Sequence, residues 1–289
     1  MHETVGLIGT GLLGSAMADR LSAEGWPVLA YDLDPSAVKR CSATAAASNS
    51  HVAHHCRTIL LSLPNSHIAA TVLEEIRPAL QTGHLIIDTT TGDPSEAEAA
   101  GASLGTLGVH YLDATIGGNS KQARQRDVIA LVGGDHTIFQ RALPILDTFC
   151  RRSFHLGHWG AGARMKLVLN LVLGLNRAVL AEGLSFAAAC GFDLHQTLEI
   201  LKAGPSYSKV MDIKGEKMIR ADYTPEARLA QHHKDVKLIL AEAERHAAKA
   251  PLSAVHDALL SLAEERGFST LDNSAVIEAY RVSSEGNPC

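Results

Sequence analysis

The chain has 289 residues, of which 46% are hydrophobic and 20% charged, and it carries a net charge of −5 at pH 7. That is enough for two domains with their own cores, and the scattered basic residues of an acidic chain argue against a nucleic-acid surface. Its five cysteines, Cys41, Cys56, Cys150, Cys190 and Cys289, form no Cys-x-x-Cys pair, which suits a reducing, cytoplasmic setting better than a disulfide framework.

The N-terminus runs straight into a short apolar strand over 5–9, with no basic region and apolar signal core before it. Gly9-Thr10-Gly11-Leu12-Leu13-Gly14 follows at once, and then an amphipathic helix. Strand, glycine turn and helix form the context that a dinucleotide fingerprint requires. Gly9 permits the tight turn, Gly11 lets a pyrophosphate approach the backbone, and Gly14 lets the helix pack on the strand. The helix N-terminus adds N–H groups and the positive end of its dipole. A second strand over 27–32 ends in Asp32. A carboxylate there accepts from ribose hydroxyls and repels a 2′-phosphate. Leu33-Asp34-Pro35 contains no Arg or Lys to hold such a phosphate. NAD is therefore the expected cofactor, with NADP less favoured.

The alternation continues, with strands expected over 58–63, 84–88, 109–113, 128–132 and 153–156, and helices over 66–80, 94–107 and 137–149. Apolar strands separated by helices predict a Rossmann-type, doubly wound, mostly parallel α/β sheet covered on both faces. Ligands bind such sheets beyond the carboxyl ends of the strands. Three loops lie there: Leu63-Pro64-Asn65-Ser66, the stretch 89–94 with Thr91, and Asp113–Ser120 with Gly117, Gly118, Asn119 and Ser120. Each is also ordinary turn chemistry; their shared position singles them out.

From Gly160 onward the pattern is helical, with helices expected over 162–190, 194–203, 206–220, 225–246, 252–266 and 273–281. This predicts a Rossmann domain over 1–158 and a C-terminal all-helical domain over 159–289. The first of these helices is apolar, but Lys166, Asn170, Asn176, Arg177 and Glu182 interrupt it, so it reads as a core helix rather than a membrane span. Lys166 and Asn170 stand four apart and share a face. A lysine is commonly found on the polar side of an amphipathic helix, but here the flanking leucines and valines leave little polar face. A lysine buried in such a run points to a task. The cluster Gln231-His232-His233-Lys234-Asp235 reads as a solvated face. His51, His54, His55 and Cys56 match no metal-ligand pattern, and no metal is expected.

These residues resemble the β-hydroxyacid dehydrogenase family, which includes 3-hydroxyisobutyrate dehydrogenase and the semialdehyde reductases. Four motifs over nearly the whole chain carry the resemblance. Gly9–Gly14 with the following Ser-Ala-Met-Ala is similar to the family's cofactor motif, and Asp113–Asn119 to its substrate loop. Gly160-Ala-Gly-Ala-Arg-Met-Lys166-Leu-Val-Leu-Asn170 is similar to its catalytic motif, and Lys234-Asp235 to its C-terminal cofactor contact. The substrate loop departs from the family pattern: Thr115 replaces a proline, Gly117 a serine and Asn119 a glycine, while Gln122 and Arg126 replace two later glycines.

The resemblance implies hydride transfer between NAD and a small anionic β-hydroxyacid or semialdehyde. Lys166 would act as general acid and base and Asn170 would orient the substrate. Backbone N–H groups of Gly117, Gly118 and Asn119 would hold its carboxylate, or a sulfonate in that place. Gly9, Thr10, Gly11, Leu12, Leu13, Gly14, Asp32, Leu63, Pro64, Asn65, Thr91 and Lys234 would hold the cofactor. A homodimer or homotetramer is implied, with no nucleic-acid or membrane partner. The alternatives are an imine reductase of the same architecture, against which Lys166 argues, and a dinucleotide-binding scaffold without turnover, against which the Lys166/Asn170 pair argues.

Overall fold

The computed structural model describes residues 2–281. Its first part alternates as expected. In order come β1 (Val5–Ile8), α1 (Leu12–Ala23), β2 (Val28–Tyr31), α2 (Pro35–Val38), β3 (Thr44–Ala45), α3 (Asn49–His55), β4 (Thr58–Leu61), α4 (Ser66–Ile76) and β5 (Leu85–Asp88). Then follow α5 (Pro94–Gly105), β6 (His110–Gly117), α6 (Ser120–Arg124), β7 (Val128–Gly133), α7 (His136–Phe149) and β8 (Cys150–His155). The helical part has α8 (Ala161–Ala189), α9 (Leu194–Ala203), α10 (Lys209–Arg220), α11 (Leu229–Arg245), α12 (Pro251–Glu265) and a 3-10 segment, Asn273–Tyr280.

The eight strands lie in the order β3-β2-β1-β4-β5-β6-β7-β8. All neighbouring pairs are parallel except β6 with β7. Alternate residues of each strand enter opposite cores. Leu7, Leu60 and Ile87 pack with Met17, Leu21 and Phe149 on one face. Ile8, Leu61 and Ile86 pack with Val52 and Ile76 on the other. Burial on both faces is why these strands read as apolar runs rather than as alternating ones. The strand order reverses beside β1, so the crevice at its carboxyl end is the sheet's switch point.

Several expected bounds shift, among them two in the sheet domain. The helix after Asn65 ends at Ile76, and Pro78 sits in a separate 3-10 turn, Arg77–Ala79. The strand expected over 109–113 runs on to Gly117, because β7 pairs with its second half, from Asp113↔Gly133 to Gly117↔Ile129.

The chain forms two compact units, Met1–Lys166 and Leu167–Cys289. The division falls beyond the expected 158, because the first turn of α8 is hydrogen-bonded to β6. Asp113 Oδ1 accepts from Gly160 N at 3.0 Å and Oδ2 from Ala163 N at 2.9 Å, and the Thr115 hydroxyl donates to Gly162 O at 3.1 Å. The second unit has its own core of Leu180, Leu184, Met218, Val236, Leu260 and Val276. Within it Lys214 and Asp272 form a buried pair, Nζ standing 2.8 and 2.9 Å from the two carboxylate oxygens. Burial alone would raise the Asp272 pKa; Lys214 and the backbone N–H groups of Glu226 and Ser274 outweigh it and hold the carboxyl at about 2. By length and hydropathy α8 could cross a membrane, yet it carries Lys166, Asn170 and Arg177 as buried side chains.

Candidate active site

The cofactor end is built from β1, α1 and β2. Gly9 has φ +92°, and a Cβ there would collide with Ser62 O. A side chain at Gly14 would collide with Gly9 O, whereas a Cβ at Gly11 would meet nothing within 4 Å. The turn is thus sealed against the sheet and open outward at Gly11. No side chain caps α1, which leaves its first-turn N–H groups to an anion. Leu12 is 70% exposed, Leu13 half-buried. Asp32 is drawn back to the loop: Oδ2 accepts from Thr10 N at 2.6 Å and Thr10 Oγ1 at 3.2 Å, and Oδ1 from Asp34 N at 2.9 Å. An open glycine, an uncapped helix start and a carboxylate fixed at the end of β2 fit a dinucleotide.

Arg40, beyond the stretch inspected for cations, comes back to this loop through the single turn of α2. It donates to Ser36 Oγ at 2.8 Å and stands 3.4 Å from Asp34. The signal in the sequence is the spacing Asp34–Arg40, legible only once that short helix is known.

The strand-end loops brace one another. Leu63 N donates to Thr90 Oγ1 at 3.2 Å, Asn65 Oδ1 caps α4 at Ile68 N, and Asp93 N donates to Ser66 Oγ. Pro64 and Thr91 lie in these two loops. Beneath them Ser66, Asp88, Thr90, Tyr111 and Asp113 line a cavity of about 30 Å³. It has room for water. Burial raises the Asp88 pKa, opposed by the Thr90 and Tyr111 hydrogen bonds. It also raises Asp113, to about 6, despite the Ala163 and Gly160 N–H groups.

Lys166 is 9% exposed, and its ammonium donates to Ile116 O at 2.7 Å. Strand β6 therefore holds α8 at Asp113 and Thr115, and the lysine itself one residue further on. None of these three anchors was singled out as a site residue from the sequence, although Asp113 opens the motif that was.

Gly117 ends β6, and Gly118 (φ +144°) turns the chain against Val128. Asn119 caps α6: its Oδ1 accepts from Gln122 N at 2.9 Å, while its own N–H donates to Gln122 Oε1 at 3.0 Å. In this reciprocal capping box the Asn119 N–H, expected to hold a substrate carboxylate, is engaged by Gln122. In the second unit Asn170 Nδ2 donates to Asp235 Oδ2 at 2.9 Å, and Lys234 Nζ lies 3.3 Å from Asp235 Oδ1. Asp235 thus joins two predicted site residues. The neighbouring His232 and His233 are buried, so the solvated face expected for 231–235 is an inward one.

His51 Nδ1 accepts from Ala47 N, and His55 Nδ1 meets His51 O. Among the described residues no group of three or more His, Cys, Asp or Glu is arranged to hold a metal ion.

Residues 4–157 match the family model for the NAD-binding domain of 6-phosphogluconate dehydrogenase. Residues 160–280 match that for the NAD-binding domain of NADP-dependent 3-hydroxyisobutyrate dehydrogenase. The chain is 31% identical to 2-(hydroxymethyl)glutarate dehydrogenase of Eubacterium barkeri, over 96% of this chain and 94% of that protein. It is 29% identical to glyoxylate/succinic semialdehyde reductase 1 of Arabidopsis thaliana, over 97% and 99%. The structure of 3-hydroxyisobutyrate dehydrogenase from Mycobacterium tuberculosis with L-serine superposes with a TM-score of 0.88 at 23% identity, covering 98% of this chain and 100% of that one. An imine reductase from Pseudomonas sp. superposes with a TM-score of 0.65 at 19% identity, covering 97% and 100%; at these identities both superpositions speak to the fold alone. With a dinucleotide-binding sheet, a helical second unit, and relatives matched from end to end, the chain belongs to the β-hydroxyacid dehydrogenase family of nicotinamide-dependent oxidoreductases.

Proposed function

We propose that the protein interconverts a small β-hydroxyacid and its semialdehyde, with Lys166 as the proton donor and acceptor and NAD preferred over NADP. The observation that supports this most directly is the Lys166 ammonium, buried and directed at Ile116 O beside the loop Gly117–Ser120. A carbonyl oxygen only accepts, so it orients the ammonium while adding no charge. When bound, the nicotinamide supplies or takes up the hydride. During reduction Lys166 gives a proton to the carbonyl oxygen as it becomes a hydroxyl; during oxidation it takes that proton back. Asn170, held by Asp235, orients the substrate through its amide. With the Asn119 N–H engaged in its cap, the Gly118 N–H and the Ser120 hydroxyl remain as donors for the substrate's anionic group, a carboxylate or sulfonate.

Gly9–Gly14 would hold the pyrophosphate and Asp32 the adenosine ribose. The relatives act on glyoxylate or succinic semialdehyde and on 2-(hydroxymethyl)glutarate by name, which puts small carboxylate-bearing carbonyls first among candidate substrates.

The test is a panel of semialdehydes, 2-oxoacids and cyclic imines with NADH and NADPH, followed by absorbance. Semialdehyde reduction faster with NADH is the expected result. Lys166→Ala should lower turnover by about 10²–10⁴ while NADH still binds, the usual worth of a positioned acid–base group. Unchanged turnover in that variant removes the lysine's role. Imine reduction alone removes the substrate class, and faster turnover with NADPH removes the reading of Asp32.

A further inference from the structure

Arg177 lies on α8 in the helical unit, two turns beyond Asn170. It is 3% exposed, and its Nε and Nη2 meet no hydrogen-bond partner among the described residues. The carboxylate whose charge acts on it is Asp272. That group is already saturated, because its two oxygens accept from Lys214 Nζ, from the Glu226 and Ala227 N–H groups, and from the N–H and hydroxyl of Ser274. Arg177 and Lys214 are thus two buried cations acting on the same buried carboxylate, Asp272, while Glu226, 3.4 Å from Lys214, is largely exposed.

A second polar atom is orphaned beside it. His256, on α12, is 2% exposed, its Nε2 has no partner among the described residues, and the charge of Arg177 acts on it. His256 reaches α8 where that helix has no side chain. A Cβ on Gly174, one turn before Arg177, would collide with the imidazoles of His232 and His256. Burial lowers the Arg177 pKa to about 10, so the guanidinium is still charged at neutral pH. Unmade hydrogen bonds on a buried charge carry a heavy penalty. Water can fill such donors, but it leaves the charge in place.

We propose that Arg177 and His256 form a binding site for one small monovalent inorganic anion of the chloride class, inside the helical unit. The guanidinium supplies the charge and two N–H donors, and the His256 Nε2–H donates in the tautomer protonated there. The site uses neither Lys166 nor the dinucleotide loop, so it stands or falls apart from the catalytic reading.

The test is thermal unfolding of the full-length protein in chloride against gluconate at constant ionic strength, with Arg177→Met beside the unmodified chain. Raising chloride from about 10 to 300 mM should raise the midpoint by roughly 3 °C and saturate, as binding to the folded state alone requires. Arg177→Met should unfold at the same temperature in both salts, whatever its absolute stability. A crystal of the unmodified protein soaked in bromide should show an anomalous peak within hydrogen-bond distance of Arg177 Nη2, which keeps the test open if the variant does not fold. A midpoint independent of the anion, a chloride dependence that survives in Arg177→Met, or a bromide-free site occupied by water overturns the proposal.

Discussion

Asp113 holds the start of α8 with both oxygens, yet it is the carboxyl whose ionisation the fold resists. Burial raises its pKa from 3.8 to about 6, with Asp88 adding to the effect. A carboxyl raised in the folded state stabilises as the neutral acid. That contribution is complete below about pH 4 and is lost as pH rises through 6. The shift corresponds to at most about 3 kcal/mol, less whatever the positive end of α8 returns to the carboxylate. We expect stability to fall between about pH 4 and 6 by a part of that amount, and Asp113→Asn to remove this slope. Denaturant titrations at a series of pH values measure it, and a slope retained in Asp113→Asn would assign the titration to another group. Lys166 shows what single positions reveal beforehand: a cation among leucines and valines is conspicuous in one dimension. Asp113 shows what they hide. Its partners, Gly160 and Ala163, lie 47 and 50 residues away, and nothing in the local sequence says that an aspartate at a strand end will be sealed from water.

The segment from β6 to β7 is where sequence and structure part most. Periodicity ends the strand at Asp113 because Thr115 and Gly117 interrupt the apolar run, whereas the antiparallel partner β7 carries the pairing on to Gly117. Pairing across a sheet is not a local property, so this extension could not be read from the segment itself. The single turn of α6 was likewise missed, although Asn119 and Gln122 stand at capping-box spacing. Its far end explains a departure from the family pattern. Arg126 N donates to Ala123 O and Asp127 N to Gln122 O, which is a Schellman ending. Arg126 therefore occupies the left-handed position, φ 56°, where the family has glycine. No hydrogen bond of its guanidinium is seen among the described residues. Arg126→Gly should raise stability by about 0.5–1 kcal/mol, the left-handed penalty less the added freedom of the unfolded glycine. Chemical unfolding decides it; a less stable variant would mean that the arginine side chain contributes more than its backbone costs.

The mostly parallel, doubly wound sheet and the change to helices near residue 160 are carried by periodic segments and were legible in the sequence, whereas the strand order was not. What local patterns did not settle is which apolar faces remain uncovered in a single chain. Helix α8 is apolar nearly all round, and burial divides it. Leu167, Ala178, Leu180, Ala181 and Leu184 are buried, while Met165, Val168, Val172, Val179 and Phe186 are 40–70% exposed. The exposed set is spaced three, four, seven and seven residues apart, a seam of the kind that packs against another helix. The stripe runs along most of this 29-residue helix, and a long exposed apolar stripe of this kind marks an interaction surface. Because the stripe repeats along its own length with a seven-residue period, a second copy of the same helix packed about a two-fold axis is the covering we expect. We therefore expect the protein to be at least a dimer at micromolar concentration. Val179→Glu should shift it to monomers by placing a carboxylate in the middle of the seam, and Ser185, half-buried and bonded to Ala181 O within its own helix, offers a neighbouring control position at which Ser185→Ala should leave the assembly intact. Light scattering on the three proteins decides the matter. A monomeric unmodified chain, or a Val179→Glu variant that stays assembled, would mean that the apolar face of α8 has a different covering.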